Sequence, residues 1–281
     1  MSETFLKQMA QGSRARVAEA TSRLSQAELA ARIEPLPPPP TLALSAAGFD
    51  LIAELKLRSP AAGALGRAQD GIDERVRAYA QAGAAAVSVL TEPSRFDGAL
   101  EHLSCTAQAL AAVRVPAMRK DFLVDPYQVL EARAAGAGGV LLILRMLGSE
   151  ELERLIDCAL RLQMFVLLES FDEADIALAR TLIEARWPKY SPLLLVGVNC
   201  RDLATLQVVP GRLLELAPLL PPQVTSVAES GVATPADAAR VAAAGYDMAL
   251  VGSALMSGAD PGALARQMLA AGRRARAAEL T

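Results

Sequence analysis

Ionisable and amide side chains end several short apolar segments of this chain, a placement that catalytic groups take in many enzymes. These side chains are, in chain order, Glu54, Lys56, Lys120, Glu169, Asn199 and Glu229. If the segments are neighbouring strands, their ends gather ammonium and carboxyl groups over one pocket. Groups coupled in that way have shifted pKa values that suit acid–base chemistry.

A charged residue at the end of one strand also has a simpler explanation, since it can mark the point where the chain leaves the sheet for water. That explanation accounts for any single position as well as a catalytic role does, but it does not account for all of these positions together. Glu54 and Lys56 are two residues apart and therefore share one side of their strand. Burying such charges within an apolar strand costs free energy unless they are paired.

The segments that position these residues alternate between two patterns. Short apolar runs rich in β-forming residues alternate with amphipathic, alanine-rich stretches that are typical of helices. The strand candidates are 51–57, 86–90, 115–120, 139–144, 164–169, 193–199, 223–229 and 248–251. The helix candidates are at about 71–82, 98–112, 126–135, 149–162, 171–187, 211–218, 234–244 and 260–278.

Continuously apolar strands separated by helices indicate a parallel sheet covered by helices. Eight is the number of strand–helix units that closes into a (β/α)8 TIM barrel, so we predict this α/β fold. A doubly wound open sheet is the alternative, but no Gly-x-Gly-x-x-Gly motif follows the first strand.

An additional helical segment is predicted before the barrel. Apolar residues recur at helical spacing over residues 3–32, and prolines at 35 and 37–40 end the helix because proline lacks an amide donor and fixes φ. We expect a single (β/α)8 barrel domain over 1–281, in which 1–40 form an N-terminal helical extension with a proline-rich connector and 41–281 form the barrel.

Two residue pairs indicate an anion site in such a barrel. Ser230-Gly231 follows the seventh strand candidate and Gly252-Ser253 follows the eighth. Glycine leaves backbone N–H groups open to an anion, and barrels commonly bind phosphate after these two strands. A tight turn alone explains either glycine, but both pairs together favour phosphate. We therefore expect a small phosphorylated metabolite as the substrate.

The composition excludes several classes of protein. The 281 residues are 52% hydrophobic with a formal net charge of −3, which suits a large core and gives no basic patch for nucleic acid. The single His102 lies in a predicted helix and the three cysteines lie far apart, so no metal site or disulfide framework is indicated. We expect no cofactor, no membrane binding, and a cytoplasmic location, because the first residues lack the apolar core of a secretion signal.

Longer motifs surround the candidate residues. They include Ile52-Ala53-Glu54-Leu55-Lys56, Arg119-Lys120-Asp121-Phe122-Leu123-Val124-Asp125-Pro126-Tyr127-Gln128, Gly197-Val198-Asn199-Cys200-Arg201-Asp202-Leu203, Ala228-Glu229-Ser230-Gly231-Val232 and Leu250-Val251-Gly252-Ser253-Ala254. With these motifs in this order, residues 49–270 of the chain resemble the indole-3-glycerol phosphate synthase family of tryptophan biosynthesis.

The resemblance implies a ring closure that converts 1-(2-carboxyphenylamino)-1-deoxyribulose 5-phosphate to indole-3-glycerol phosphate, with loss of carbon dioxide and water. It implies that Lys120 is the general acid on the ribulose carbonyl oxygen and that Glu169 is the general base that restores aromaticity. Lys56 would pair with the substrate carboxylate and donate a proton during dehydration.

The resemblance also implies supporting roles and partners. Residues that would hold the lysines and the substrate hydroxyls are Glu54, Asn199, Arg201, Glu229 and Ser230. Residues that would line the phosphate pocket are Ser59, Gly231, Gly252 and Ser253. Candidates for the apolar wall around the aromatic ring, which packing alone would also explain, are Phe96, Phe122, Leu141 and Leu203. The expected partners are this small phosphorylated aromatic substrate and, in weak association, other tryptophan-pathway enzymes.

Three features depart from the family pattern. Ala61 replaces a serine after Ser59-Pro60, and Cys200 stands where asparagine or serine is common. A buried small residue and a reactive thiol are the two interpretations of Cys200. The segment 181–193 is longer than usual, and we expect a surface loop away from the chemistry, with a partner-binding surface as the alternative.

Three other functions compete with the synthase. One is a related phosphate-binding barrel isomerase, such as phosphoribosylanthranilate isomerase. Resemblance to that family would imply a cysteine–aspartate pair on the first and fifth strands, where this chain has Lys56 and Glu169. A paralogue that serves as a binding module would not need the intact set of Lys56, Lys120 and Glu169. A paralogue of secondary indole metabolism is compatible with the altered first loop.

Overall fold

Eight parallel strands close into a barrel in the computed structural model, which describes residues 2–60, 63–65, 71–203, 205–258 and 260–279. The barrel strands are β1 (Asp50–Leu55), β4 (Ala86–Leu90), β5 (Ala117–Lys120), β6 (Gly139–Ile143), β7 (Phe165–Ser170), β8 (Leu194–Asn199), β9 (Thr225–Glu229) and β10 (Met248–Val251). A separate antiparallel pair consists of β2 (Arg58–Ser59) and β3 (Gly63–Ala64).

Helices surround this barrel and precede it. In the described residues they are α1 (Ser2–Arg23), α2 (Gln26–Ile33), α3 (Ile72–Gln81), α4 (Pro93–Phe96), α5 (Leu100–Leu110), α6 (Pro126–Ala134), α7 (Ser149–Arg161), α8 (Glu173–Glu184), α9 (Arg212–Leu216), α10 (Pro235–Ala243), α11 (Ser253–Ser257) and α12 (Pro261–Glu279). The predicted (β/α)8 TIM barrel with an additional N-terminal helical segment is confirmed.

The predicted first strand is too long at its carboxyl end. It was expected to reach residue 57, but β1 ends at Leu55. Beyond that point the chain folds back on itself as β2 and β3, and the amide of Leu65 donates to the carbonyl of Leu57 over 2.7 Å. Lys56 therefore lies just outside the barrel ladder, at the mouth.

The N-terminal segment is two helices rather than one. The side chain of Ser25 accepts from the amide of Glu28, and the Glu28 carboxylate accepts from the amide of Ser25, which starts a new helix at Gln26. Periodicity alone missed this break, although the capping pair is visible in the sequence. The short helices α4 and α11 were also missed, because four or five residues are too few to show a helical period.

Helix α1 packs over the carboxyl ends of the barrel strands. Leu6 and Met9 are buried in one apolar cluster with Phe122 and Phe171, which follow β5 and β7. Helix α2 packs against α6, and its Leu29 is buried in the core between the barrel and the surrounding helices. The boundary at residue 40 between extension and barrel stays a prediction.

Alternation along the strands separates two cores. In β1, Leu51 and Ala53 belong to the core between the barrel and the helices, whereas Ile52 belongs to the core inside the barrel. Glu54 is two residues beyond Ile52 and so shares its inward direction. The alternation of side chains that places Ile52 inside the barrel therefore also points Glu54 into the barrel mouth.

Bulky inner residues need small neighbours. A Cβ atom on Gly139 would lie 2.4 Å from the ring of Phe165, its partner on the adjacent strand, and that ring is fully buried. The ring has no free space to move into, because protein interiors are packed to near-crystalline density.

We expect Gly139→Ala to lower the free energy of unfolding by about 1–3 kcal/mol, the usual cost of overpacking a core. Gly12→Ala is the control, since Gly12 is an exposed position of α1 where a Cβ meets nothing within 4 Å. It should be neutral or stabilising by up to about 1 kcal/mol because alanine favours helix. Denaturant unfolding of both variants measures the difference, and equal midpoints would contradict the packing argument.

Candidate active site

One cavity of about 300 Å³ opens at the carboxyl ends of the barrel strands. All sixteen residues that the sequence nominates lie on its wall: Glu54, Lys56, Ser59, Phe96, Lys120, Phe122, Leu141, Glu169, Asn199, Arg201, Leu203, Glu229, Ser230, Gly231, Gly252 and Ser253. Their individual roles stay predictions, but they do face a common space.

The end of β1 supplies the first charged pair. The Lys56 ammonium lies 2.7 Å from Oε1 of Glu54, and both side chains are largely buried. Gly252, at the end of β10, leaves room for them, because a Cβ there would lie 2.2 Å from Oε1 of Glu54. A glycine is thus needed at position 252 because the Glu54 carboxylate of the neighbouring strand lies so close, independently of any anion that binds there.

Lys120, at the end of β5, lies between two further carboxylates. Its ammonium is 3.3 Å from Oε2 of Glu229 and 3.9 Å from Oε1 of Glu169. The side-chain amide of Asn199 donates to Oε1 of Glu169, while Oδ1 of Asn199 accepts from the amide of Arg201 over 2.9 Å. Asn199 therefore orients Glu169, and the loop after β8 orients Asn199.

The burial of these groups changes their proton affinities. Burial raises the pKa of Glu229 to about 8, against the opposing charge of Lys120 and with the help of the Glu169 carboxylate. Burial lowers the pKa of Lys120, but the Glu169 and Glu229 carboxylates outweigh it and hold the pKa above its ordinary value. The surrounding carboxylates therefore favour the charged form of Lys120, whereas burial favours the neutral form of Glu229.

The geometry of Glu229 shows why burial raises its pKa. Its side chain is 1% exposed, and Oε1 is buried without a hydrogen-bond partner among the described residues, whereas Oε2 accepts from Lys120. Gly197 gives Oε1 its space, since a Cβ on Gly197 would lie 2.1 Å away.

The strand ends β9 and β10 form the opposite side of the cavity. Ser230 adopts a left-handed backbone with φ 65°, which is uncommon for a residue with a side chain, and Gly231 follows at φ 70°. Gly252 precedes α11, which begins at Ser253 without a side-chain cap, so its first amides are left to other acceptors. Both turns suit an anion.

Aromatic and aliphatic side chains form the remaining wall. The sequence nominated Phe96, Phe122, Leu141 and Leu203, but it missed several others. The missed lining residues with large apolar or charged side chains are Phe5, Leu90, Asp121, Ile143, Phe171, Leu206, Val208, Val232 and Leu250. Parity would have found Ile143, which is two residues beyond Leu141 on β6; nothing local to Phe5 links it to the barrel mouth.

The three departures from the family pattern have different outcomes. Ala61 lies outside the described residues. Cys200 is buried at 2% exposure, burial raises the pKa of its thiol, and its sulfur would lie 2.8 Å from a Cβ on Gly231, which favours a packing role over a reactive thiol. In the long segment, Ser191 and Pro192 border a surface depression together with Asp50 and Thr225. Asp50 and Thr225 are the first residues of β1 and β9, so this part of the segment lies at the end of the barrel opposite the cavity.

Comparison with known proteins decides the family. A family model described as indole-3-glycerol phosphate synthase matches residues 6–268, which is nearly the whole chain. The chain belongs to the indole-3-glycerol phosphate synthase family.

Similar family members include the indole-3-glycerol phosphate synthase of a Nocardioides species, which is 43% identical over 267 residues, covering 94% of this chain and 98% of the relative. That of a Parafrankia species is 42% identical over 269 residues, covering 95% and 96%. The match therefore extends over nearly the full length of both relatives.

Solved structures show the same barrel outside the indole-3-glycerol phosphate synthase family. The 3-hexulose-6-phosphate synthase of Salmonella typhimurium superposes with a TM-score of 0.60 at 17% identity, over 80% of this chain and 99% of that one. The thiamine phosphate pyrophosphorylase of Pyrococcus furiosus has a TM-score of 0.57 at 16% identity, over 81% and 96%. At these identities the likeness shows the fold alone.

Within the described residues, no helix combines the length and the apolar character that a membrane crossing requires.

The raised pKa of Glu229 makes a prediction about stability. The folded chain keeps a proton that an unfolded glutamate releases near 4.5, so the Glu229 contribution to the free energy of unfolding falls as pH rises from 4.5 to about 8. Glu229→Gln removes this contribution, so the wild type should lose more stability than the variant over that range.

Denaturant unfolding at several pH values between about 5 and 8.5 measures the two curves. Glu153→Gln, at an exposed position of α7, controls for the loss of one formal charge. Parallel curves for wild type and Glu229→Gln would contradict the raised pKa.

Proposed function

We propose that Lys120, Lys56 and Glu169 carry the proton transfers of the indole-3-glycerol phosphate synthase reaction. In that reaction, 1-(2-carboxyphenylamino)-1-deoxyribulose 5-phosphate closes to indole-3-glycerol phosphate with loss of carbon dioxide and water. The observation that supports these roles best is the placement of the Lys120 ammonium between the carboxyl groups of Glu229 and Glu169, at 3.3 and 3.9 Å, on the wall of a substrate-sized cavity.

Lys120 suits the role of the general acid. When the aromatic carbon attacks the ribulose carbonyl, negative charge develops on the carbonyl oxygen, and a positioned cation stabilises that charge before it delivers its proton. The carboxylates around Lys120 keep it protonated in the free enzyme, so the proton is present when the substrate binds. The neighbouring Glu229 carboxyl is available to hold a substrate hydroxyl.

Glu169 suits the role of the general base, because that base must point at one hydrogen of the new five-membered ring, on the carbon beside the nitrogen, which is lost as water leaves. The amide of Asn199 fixes one of its oxygens, which restricts the rotation of the carboxylate. Lys56 lies on the neighbouring side of the mouth, paired with Glu54. A substrate carboxylate would exchange places with Glu54 as the partner of Lys56, and the lysine would then supply a proton for the dehydration.

The two ends of the cavity suit the two ends of the substrate. The turns at Ser230-Gly231 and Gly252-Ser253 offer backbone amides for the phosphate, with Ser59 on the adjoining loop. Leu141, Leu203 and the phenylalanine side chains form an apolar surface for the ring. Loss of the carboxylate as neutral carbon dioxide is favoured beside such a surface, because only the ground state is charged there.

Two of the three competing functions, the isomerase and the binding module, gain no support from the site. The isomerase would need a cysteine and an aspartate where Lys56 and Glu169 line the cavity. A binding module would have no use for the paired lysines and carboxylates. The cytoplasmic location and the weak association with other tryptophan-pathway enzymes stay predictions from the sequence.

Removal of the proposed acid gives the first functional test. Lys120→Ala should lower kcat/KM by about 100-fold or more, because a lost proton donor in the transition state has that effect. Lys189→Ala, at an exposed lysine beyond α8, is the matched control and should keep wild-type activity. The appearance of indole absorbance and fluorescence from the substrate, without added metal, measures both. A value for Lys120→Ala within about threefold of wild type would refute the assignment.

The phosphate end gives a second test. Inorganic phosphate should compete with the substrate at millimolar concentrations, and Ser253→Ala should weaken that inhibition because it removes a hydroxyl donor beside the proposed cradle. Chloride at equal ionic strength is the control for screening. Initial rates at several phosphate concentrations measure the inhibition constant, and an uncompetitive pattern or no inhibition would count against this end of the site.

A further inference from the structure

Three phenylalanine side chains from three separate parts of the chain meet at one edge of the cavity. Phe122, after β5, packs edge-on against Phe5 of α1 at a centroid distance of 5.9 Å. It also packs against Phe96 of α4 at 6.2 Å. All three line the cavity. Their mutual positions depend on how α1, α4 and the loop after β5 are held together.

A single arginine of α1 contacts both of the other two elements. The Arg16 guanidinium lies 2.8 Å from Oδ1 of Asp121 and 3.6 Å from Oε1 of Glu92. Each carboxylate side chain is only 1% exposed, whereas Arg16 is 30% exposed. Arg16 follows Phe5 by eleven residues, about three helical turns, so the two side chains lie on one face of α1.

Each of the two carboxylates holds one phenylalanine-bearing element. Glu92 accepts hydrogen bonds from the amides of Ser94 and Arg95, at 2.9 and 2.7 Å, and so caps the start of α4, which ends at Phe96. Asp121 accepts from the amide of Phe122 over 2.8 Å. The ion pairs of Arg16 therefore act on groups that directly fix the backbone beside two of the three rings.

The contacts of the two carboxylates are not equivalent. Asp121 also receives hydrogen bonds from Arg119 and from Thr91, so it keeps partners if Arg16 is lost. For Glu92, Arg16 is the only basic side chain that forms an ion pair within the described residues. A buried carboxylate without a cation is costly, so the loss of Arg16 would loosen the loop that carries Phe96 more than it loosens the strand end that carries Lys120.

We propose that Arg16 is a positioning residue that joins the N-terminal helix to the loops after β4 and β5 and so assembles the three-phenylalanine wall against which the aromatic ring of the substrate binds. The inference rests on the proposed function for the identity of that ring. Arg16 itself touches neither the reacting atoms nor the phosphate end, so its effect belongs to binding of the aromatic half.

Steady-state kinetics of Arg16→Ala tests the proposal. We expect KM for the carboxyphenylamino-deoxyribulose phosphate to rise by about tenfold or more, with kcat within about threefold of wild type. The inhibition constant of inorganic phosphate should stay within about twofold, because the cradle after β9 and β10 is untouched. Arg14→Ala is the matched control: Arg14 is on the same helix, 55% exposed, and pairs with Glu151 at 3.3 Å, away from the cavity. Its constants should equal those of the wild type.

Two further variants separate positioning from general destabilisation. Glu92→Gln removes the ion pair from the other side and leaves α1 intact, although it also replaces one of the two oxygens that cap α4. It should therefore also raise KM with little change in kcat. The effect of the double variant should then be smaller than the sum of the two single effects, since both single changes break the ion pair between Arg16 and Glu92. Arg16→Lys, which keeps the charge but not the fork that spans two carboxylates, should give an intermediate KM.

Several results would overturn the proposal. One is a KM for Arg16→Ala within about twofold of wild type, and another is an equal rise in the phosphate inhibition constant, which would mean that the whole site had loosened. Additive effects in the double variant would also overturn it. These failures are distinct from failure of the proposed function, which would appear as retained activity in Lys120→Ala.

Discussion

Two lysines and three glutamates at the mouth of one barrel form the constraint on which the rest of the structure depends. Charges taken out of water are stable only when they are paired and hydrogen-bonded. The Lys56 ammonium pairs with Glu54, the Lys120 ammonium lies between Glu229 and Glu169, and burial raises the pKa of Glu229 to about 8. Gly197 and Gly252 follow from the same constraint, because a larger residue at either position would occupy the space of a carboxylate oxygen.

The barrel by itself does not complete the site. Helix α1 brings Phe5 to the cavity, buries Leu6 and Met9 against residues that follow the strands, and receives a hydrogen bond from Gln128 at Ser13 over 2.8 Å. Residues 119–128, which look in the sequence like a catalytic motif, therefore serve two purposes. Part of the motif lies in the active site and part of it anchors the N-terminal helix.

The site was predictable where its residues are strand ends, and much less so elsewhere. Glu169 and Asn199 could be nominated because parallel strands bring their carboxyl ends to one edge whatever the details of packing. Phe171 was missed because it lies beyond a strand end, in a bend whose direction depends on tertiary contacts, including Arg145 stacked 4.6 Å from its ring. Phe5 was missed because helical periodicity shows which face of α1 is apolar without showing what covers it.

The sequence by itself determined the number of barrel strands, their order, the presence of a helical segment before them, and the chemical types of the groups at the barrel mouth. These features depend on local periodicity and on residue type, which act over a few neighbouring positions. Only the tertiary structure decided which acid pairs with which ammonium. Lys120 and Glu229 are 109 residues apart in the chain, and their contact and the shifts of their pKa values depend on distances that exist only after the barrel has closed.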